Sequence, residues 1–410
     1  MTPEDRAFLL FSVIKVVVVF VVLLVGVALV TLMERKVAGW MQNRPGPNRV
    51  GPSGILQPVA DGLKNFIKEE THPLAATQLL FLIAPALSFI PAMMLIAVIP
   101  LAAPLQVDIE TVLPLIGLIR WHGPVVMTVA EVPVGFIFIL AFSSIGVYGI
   151  ALAGWSSNSK YSLLGGLRAS AQMISYEVAM GLSLVPVLLL TGNATFPEII
   201  RQQQAGAWFV GPLFLSFFVF LVAGFAETNR LPFDMPEAES ELVAGYHSEY
   251  SAMKFALFML AEYAHVITIA AMIATLYFGG WDIPFTDWDM KGGLAQTLVS
   301  YCFFFAKMFF WVFFVIWIRW TLPRFRYDQL MSLGWKVLLP IALVYIMVIA
   351  GAIQGMDAIG LIGPHARSLA LFGLNLILGY AVFFYLDRGH VVEGASRHAR
   401  RAAAPARAEG

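Results

Sequence analysis

Long apolar runs recur from one end of this chain to the other. They lie at about 8–33, 79–103, 124–151, 163–190, 208–228, 252–278, 296–320, 334–355 and 368–387. A helix needs about 20 consecutive apolar residues to cross a bilayer, so the spacing predicts nine membrane helices. Lipid offers no water to the backbone, which leaves only helices or closed barrels; runs that are continuous and not alternating exclude the barrel. Only 13% of residues are charged, about half the share in soluble domains. The expected fold is therefore all-α, a polytopic transmembrane helical bundle. One integral membrane domain is expected over 1–390, with a basic, structureless cytoplasmic tail over 391–410. The first run is too long for a signal-peptide core and lacks a small-residue cleavage site before Glu34, so it reads as a retained helix. Pro85, Pro91, Pro133 and Pro186 predict kinks in the second to fourth helices.

Net charge is zero, so its distribution carries the information. With the N-terminus outside, 19 of the 26 Lys and Arg residues fall on the cytoplasmic side and five outside. That asymmetry predicts a periplasmic N-terminus and a cytoplasmic C-terminus in a bacterial inner membrane. Nothing in the pattern points to nucleic acid.

This topology gathers the unusual loops on one side. After the first run, Pro and Gly rule out regular structure between Pro45 and Gly54. Ile55, Leu56, Val59, Ala60, Leu63, Phe66 and Ile67 then fall on one helical face, opposite Gln57, Asp61, Lys64, Lys68 and Glu69. This pattern predicts an amphipathic helix lying in the interface; a plain surface helix has the same spacing. Beside a Pro/Gly loop, such a helix suits the lip of an opening for a lipid-soluble substrate. The stretch 227–250, ETNRLPFDMPEAESELVAGYHSEY, sets six carboxylates against one base, Arg230. Pro232 and Pro236 forbid a regular helix in its first half, and 237–242 favours a short one. A solvated acidic loop is the plainer reading of the same composition.

Ionisable residues within membrane runs need a reason. Glu177 lies near the middle of the fourth helix, Glu131 in the outer third of the third, Glu227 at the end of the fifth and Glu262 in the sixth. Lys15 and Lys307 are their candidate partners. Glu69-x-x-His72 and Glu262-x-x-His265 each match half of a di-iron motif, but that site needs two facing pairs and two further glutamates, so no metal site is assigned. A single cysteine, Cys302, excludes a disulfide framework and an iron–sulfur cluster built from this chain alone. No glycine-rich dinucleotide or P-loop fingerprint is present.

Five motifs in order, MERKVAGWMQNRPGPNRVGPSGILQPVADGLKNFIKE, GGLRASAQMISYE, AETNRLPFDMPEAESELVAGYHSEYS, FMLAEY and RWTLPRFRYDQLMSLGWKVLLP, resemble the H subunits of bacterial NADH:quinone oxidoreductase, respiratory complex I. The likeness spans about residues 30–340. The ninth run and the tail lie beyond the eight-helix core common to that family.

The resemblance implies a subunit that forms the membrane-facing part of a quinone tunnel and couples quinone reduction to proton translocation. On it, Glu34, Arg35, Lys36, Gln42, Arg44, Asp61 and Phe66 match the entrance. Arg230, Phe233, Asp234, Glu237, Glu239, Glu241 and Arg324 match the elements bordering the tunnel. Glu177, Glu227 and Glu262, with Glu131 as a further position, match the start of a proton path. No catalytic residue is expected in this chain alone. FMN and iron–sulfur clusters are expected in partner subunits, and hydrophilic quinone-site subunits and antiporter-like membrane subunits are the implied neighbours. Two other readings use the same features: the membrane anchor of an energy-converting nickel–iron hydrogenase, and a proton-coupled secondary transporter. A tunnel entrance has no use in the first, and the transporter would want an internal repeat that the chain lacks.

Overall fold

The computed structural model describes residues 2–113, 117–235, 239–284, 286, 288, 292–360 and 363–387. The tail over 391–410 and Glu237 lie outside the described residues, as does the side chain of Glu239. Among the described residues, eight helices are long and apolar enough to cross a membrane, and one further apolar helix is shorter. The chain is a polytopic helical membrane protein.

Helix α1 (Pro3–Met41) opens with a reciprocal cap: the Thr2 hydroxyl accepts from the Asp5 amide at 3.1 Å and the Asp5 carboxylate accepts from the Thr2 amide at 2.9 Å. At ~1.5 Å per residue it is about twice as long as the ~30 Å apolar layer is thick. Its last turns, carrying Glu34 to Lys36, therefore reach the elements at one end of the bundle. There follow the predicted Pro/Gly loop and helix α2 (Gln57–Ile67). Gly54 sits at φ +79°, and a Cβ there would lie 2.1 Å from the Pro47 carbonyl oxygen, so the loop can close only on glycine. Helix α2 buries none of its residues. Its apolar face stands open, with Phe66 71% exposed, as an interfacial helix requires.

Helix α3 (Gln78–Met94) holds Pro85 and Pro91 and tightens into a 3-10 turn at Leu95–Val98. The next segment departs from the all-helical expectation. Strands β1 (Leu105–Leu113) and β2 (Gly117–Val125) form an antiparallel hairpin with Leu105 opposite Val125 and Leu113 opposite Gly117. Glu110 pairs with Arg120 across it, and Trp121 meets Phe11 of α1 edge-on at 5.8 Å. The run expected as a helix from 124 becomes helical only in α4 (Gly135–Ser156), because Pro133 lacks an N–H and restrains Val132.

Helices α5 (Lys160–Thr191), α6 (Phe196–Ala205), α7 (Phe214–Glu227), α8 (Glu239–Leu242) and α9 (Ala252–Tyr277) come next in the chain. Gly211 and Pro212 delay α7, which starts six residues later than the apolar run. Helix α9 is the hub: every residue from Ala264 to Tyr277 is buried. Helix α10 (Leu294–Thr321) packs on it; the short α11 (Tyr327–Leu333) and a π-helical stretch Gly334–Leu338 running into α12 (Leu339–Ala358) lie against α5, and α13 (Pro364–Asp387) lies against α7. Close approaches rest on glycine: a Cβ on Gly165 of α5 would lie 2.6 Å from the Cα of Gly245.

At the hairpin end, neutral amides tie the helix ends together. Buried Gln203 of α6 accepts from the amides of Phe209 (3.2 Å) and Gly279 (3.0 Å) and donates to the Thr275 carbonyl (2.9 Å). Asn375 of α13 accepts from the Leu215 amide (3.3 Å) and the Tyr345 hydroxyl (2.8 Å) and donates to the Pro212 carbonyl (2.5 Å). It thereby serves the uncapped start of α7 from another helix.

Candidate functional site

Two acids and two arginines remote in sequence meet at the other end. Glu34 of α1, Arg230 of loop 227–250 and Glu262 of α9 are 6%, 5% and 8% exposed. The Arg230 guanidinium reaches Glu262 at 2.6 Å and Glu34 at 3.4 Å. Arg319, near the end of α10, pairs with the second oxygen of Glu34. The Tyr263 hydroxyl donates to Glu34 at 2.7 Å, and its ring lies under Arg230, 4.1 Å from the guanidinium carbon. A planar fork suits this arrangement, since one arginine must serve two carboxylates and a ring face at once. Buried ions of this kind survive only when paired and hydrogen-bonded together.

A second pair of carboxylates sits on α5 and α7. Glu227, at the end of α7, accepts from Ser143, and Glu177 of α5 accepts from Ser144. Successive residues of α4 thus serve acids on two different helices. Glu227 and Glu262 both line one cavity, which joins the two sets. Three of the four expected proton-path residues are therefore brought together. Glu131 is not: it lies exposed in the irregular segment before α4 and outside any helix, so its placement in the third membrane helix is corrected. Lys307 does not sit among these glutamates either, donating to the carbonyls of Phe278, Gly280 and Asp282 at 2.7–2.9 Å.

Loop 227–250 is held by its own chain. Asp234 pairs with Arg324 at 2.9 Å, Phe233 stacks on Phe325 with centroids 5.6 Å apart, and the Phe325 amide donates to the Pro232 carbonyl at 3.2 Å. Gln172 of α5 donates to the carbonyls of Ala226 and Phe233, both at 2.8 Å, and Glu241 pairs with Arg168 at 2.8 Å. Asp234 and Glu241 thus have basic partners within the chain. At the loop's end, burial pushes the Tyr250 phenol up to about 12, against a hydrogen bond with Ser156.

Of the expected entrance residues, Arg35 pairs with Asp61 at 2.5 Å, Lys36 donates to the Ser53 carbonyl at 2.6 Å, and Arg44 donates to Gln42 at 2.6 Å. These contacts lash α2 and the Pro/Gly loop to the end of α1. Glu34 turns the other way, into the bundle. Among the described residues no group of three or more His, Cys, Asp or Glu side chains is arranged for a metal ion. His72 meets Lys254 at 3.2 Å and Glu70 at 3.4 Å.

Arg319 and Tyr263 were not among the site residues expected from sequence, nor were Ser143 and Ser144. The serine pair carried a signal, two adjacent hydroxyls in the middle of an apolar run. Arg319 looked like an ordinary basic flank.

A helical membrane bundle with buried, interlinked carboxylates beneath an interfacial helix is the class defined by fold and site. The NADH dehydrogenase family model matches residues 14–350. The H 2 subunit of NADH-quinone oxidoreductase from Koribacter versatilis is 52% identical over 348 residues, 84% of this chain and 97% of that protein. The H subunit of Leptospira biflexa is 48% identical over 84% of this chain and 95% of its own length, and the H 1 subunit of Geobacter sulfurreducens 49% over 82% and 92%. The chain belongs to the family of NADH-quinone oxidoreductase H subunits, and is thus a non-autonomous part of an oxidoreductase complex.

Proposed function

We propose that this chain forms the membrane side of a quinone tunnel, with its entrance at 34–69, and converts quinone reduction into proton movement. The observation that carries this reading is the cluster of Glu34, Arg230, Glu262, Arg319 and Tyr263. It ties the base of the entrance, through α1, to the acidic loop and to the first acid of the path. Quinone enters laterally past α2, and its headgroup is reduced beside the loop with electrons from a partner's iron–sulfur cluster. The two protons that reduced quinone takes up change the local charge. Arg230 then shifts its pairing between Glu34 and Glu262, and the loop moves with it. The altered field changes which of Glu262, Glu227 and Glu177 hold protons, and so biases proton movement toward antiporter-like subunits. The end bearing loop 227–250 faces the cytoplasm, where most of the basic residues lie.

The test is Glu34→Gln in the assembled complex. Gln keeps the shape and one acceptor but gives up the charge that Arg230 and Arg319 share. Reduction of a long-tailed quinone is expected to fall by about tenfold or more, the equivalent of about 1.4 kcal/mol. Wild-type turnover and pumping in an assembled Glu34→Gln complex would remove the cluster from the mechanism.

A further inference from the structure

The cavity between the two sets of carboxylates is lined by Glu262 and His265 of α9, Glu227 of α7, Gly146 of α4 and Ser88 of α3 among others. Its water-accessible space is about 20 Å³, room for about one molecule. Two polar groups at this cavity have no hydrogen bond from the described protein. Oε2 of Glu227 has no partner, and that residue is 3% exposed. The imidazole of His265, 7% exposed, makes no hydrogen bond among the described residues. A histidine that served only to pack the core would give its N–H to a carbonyl, because a buried donor without a partner is destabilising. Gly146 keeps the space open: a Cβ there would lie 3.7 Å from Nε2 of His265, in ordinary contact and inside the cavity. His265 comes three residues after Glu262, so the two share one face of α9.

We infer that His265 is a proton relay that joins Glu262 to Glu227 through water held in this cavity. The inference rests on the proposed proton path and supplies its central step. A neutral imidazole carries a proton on one nitrogen and a lone pair on the other. The bare nitrogen takes the proton of a protonated Glu262, whose carboxylate is left on Arg230. The other nitrogen releases its own proton through the water to the carboxylate of Glu227, which becomes the acid. Glu262 ends one proton poorer and Glu227 one richer; His265 ends neutral in its other tautomer, and no electron moves. A flip of the ring resets it.

The experiment uses the assembled complex in membrane vesicles. His265→Phe keeps an aromatic ring and removes both nitrogens. Gly146→Ala leaves the histidine and puts a methyl group into the cavity. Each is expected to slow coupled quinone reduction and proton pumping by about tenfold or more. In Gly146→Ala the solvent deuterium isotope effect on turnover should also rise, which a packing defect would not cause. Wild-type rates in both variants, beside a Glu227→Gln complex that loses pumping, overturn the relay and leave the acidic path standing. Wild-type rates in all three remove the path as well. If His265→Phe does not assemble, Gly146→Ala decides the question by rate and isotope effect.

Discussion

At the end of the bundle that carries loop 227–250, the central buried cluster is built from full charges with more than one partner. Arg230 divides itself between Glu34 and Glu262, and Glu34 between Arg230 and Arg319. At the hairpin end, the corresponding work falls to Gln203 and Asn375, neutral amides whose donors and acceptors each meet a complementary main-chain group or hydroxyl. Lys307 and Asp282 are charged exceptions there, and they too are fixed: Lys307 by three carbonyls beyond the C-terminus of α9, where the helix dipole favours a cation, and the Asp282 carboxylate by the Trp208 indole at 2.8 Å and the Gln204 amide at 3.3 Å. Matched amides have one good arrangement. Shared ions have several of similar energy, and an added charge nearby selects among them. On the proposed function, one end stays put and the other responds.

The sharpest way to break this contrast is Arg230→Met. It leaves Glu34 and Glu262 buried without the cation between them, and removing one member of a buried ionic set costs about 3–5 kcal/mol. Thermal denaturation of the assembled complex should show the loss, and Arg230→Lys should restore little of it, because an ammonium cannot serve two carboxylates and the Tyr263 ring in the same plane. Gln203→Leu should cost less, about 1–3 kcal/mol for the groups left unpaired. Its signature is a lowered melting temperature with an unchanged ratio of protons to electrons. A changed ratio would place the hairpin end in the mechanism and erase the distinction.

Glu177→Gln should hardly alter stability, since the amide still accepts from Ser144. Pumping in vesicles should fall while assembly persists, with Glu177→Asp retaining part. A Gln variant that pumps normally makes Glu177 structural. The smallest effect on stability belongs to Phe66→Asp on the open face of α2. There the expected change is a raised apparent KM for a long-tailed quinone, with less change for a short water-soluble analogue. Equal loss with both would mean that α2 does not border the entrance.

Much of this architecture was legible in the chain. Apolar run length marked the membrane helices, and helical spacing marked α2 to within two residues at either end. Two errors came from giving length precedence over local chemistry. The alternation Leu105, Val107, Ile109 against Gln106, Asp108, Glu110 is a strand signal that run length alone does not register. Pro133 keeps the helix from extending back to Glu131. The acids of the site were visible as costly residues in apolar surroundings. Their pairing was not, because Glu34 meets partners 196 and 285 positions away, and no local pattern encodes such distances.

Ser143 and Ser144 are neighbours on one backbone, yet they point about 100° apart around α4. Each holds a carboxylate of a different helix. A rotation of α4 about its own axis therefore moves both hydroxyls in the same sense at once. The grips on Glu227 and Glu177 are geared together: a turn of the helix that disturbs one disturbs the other.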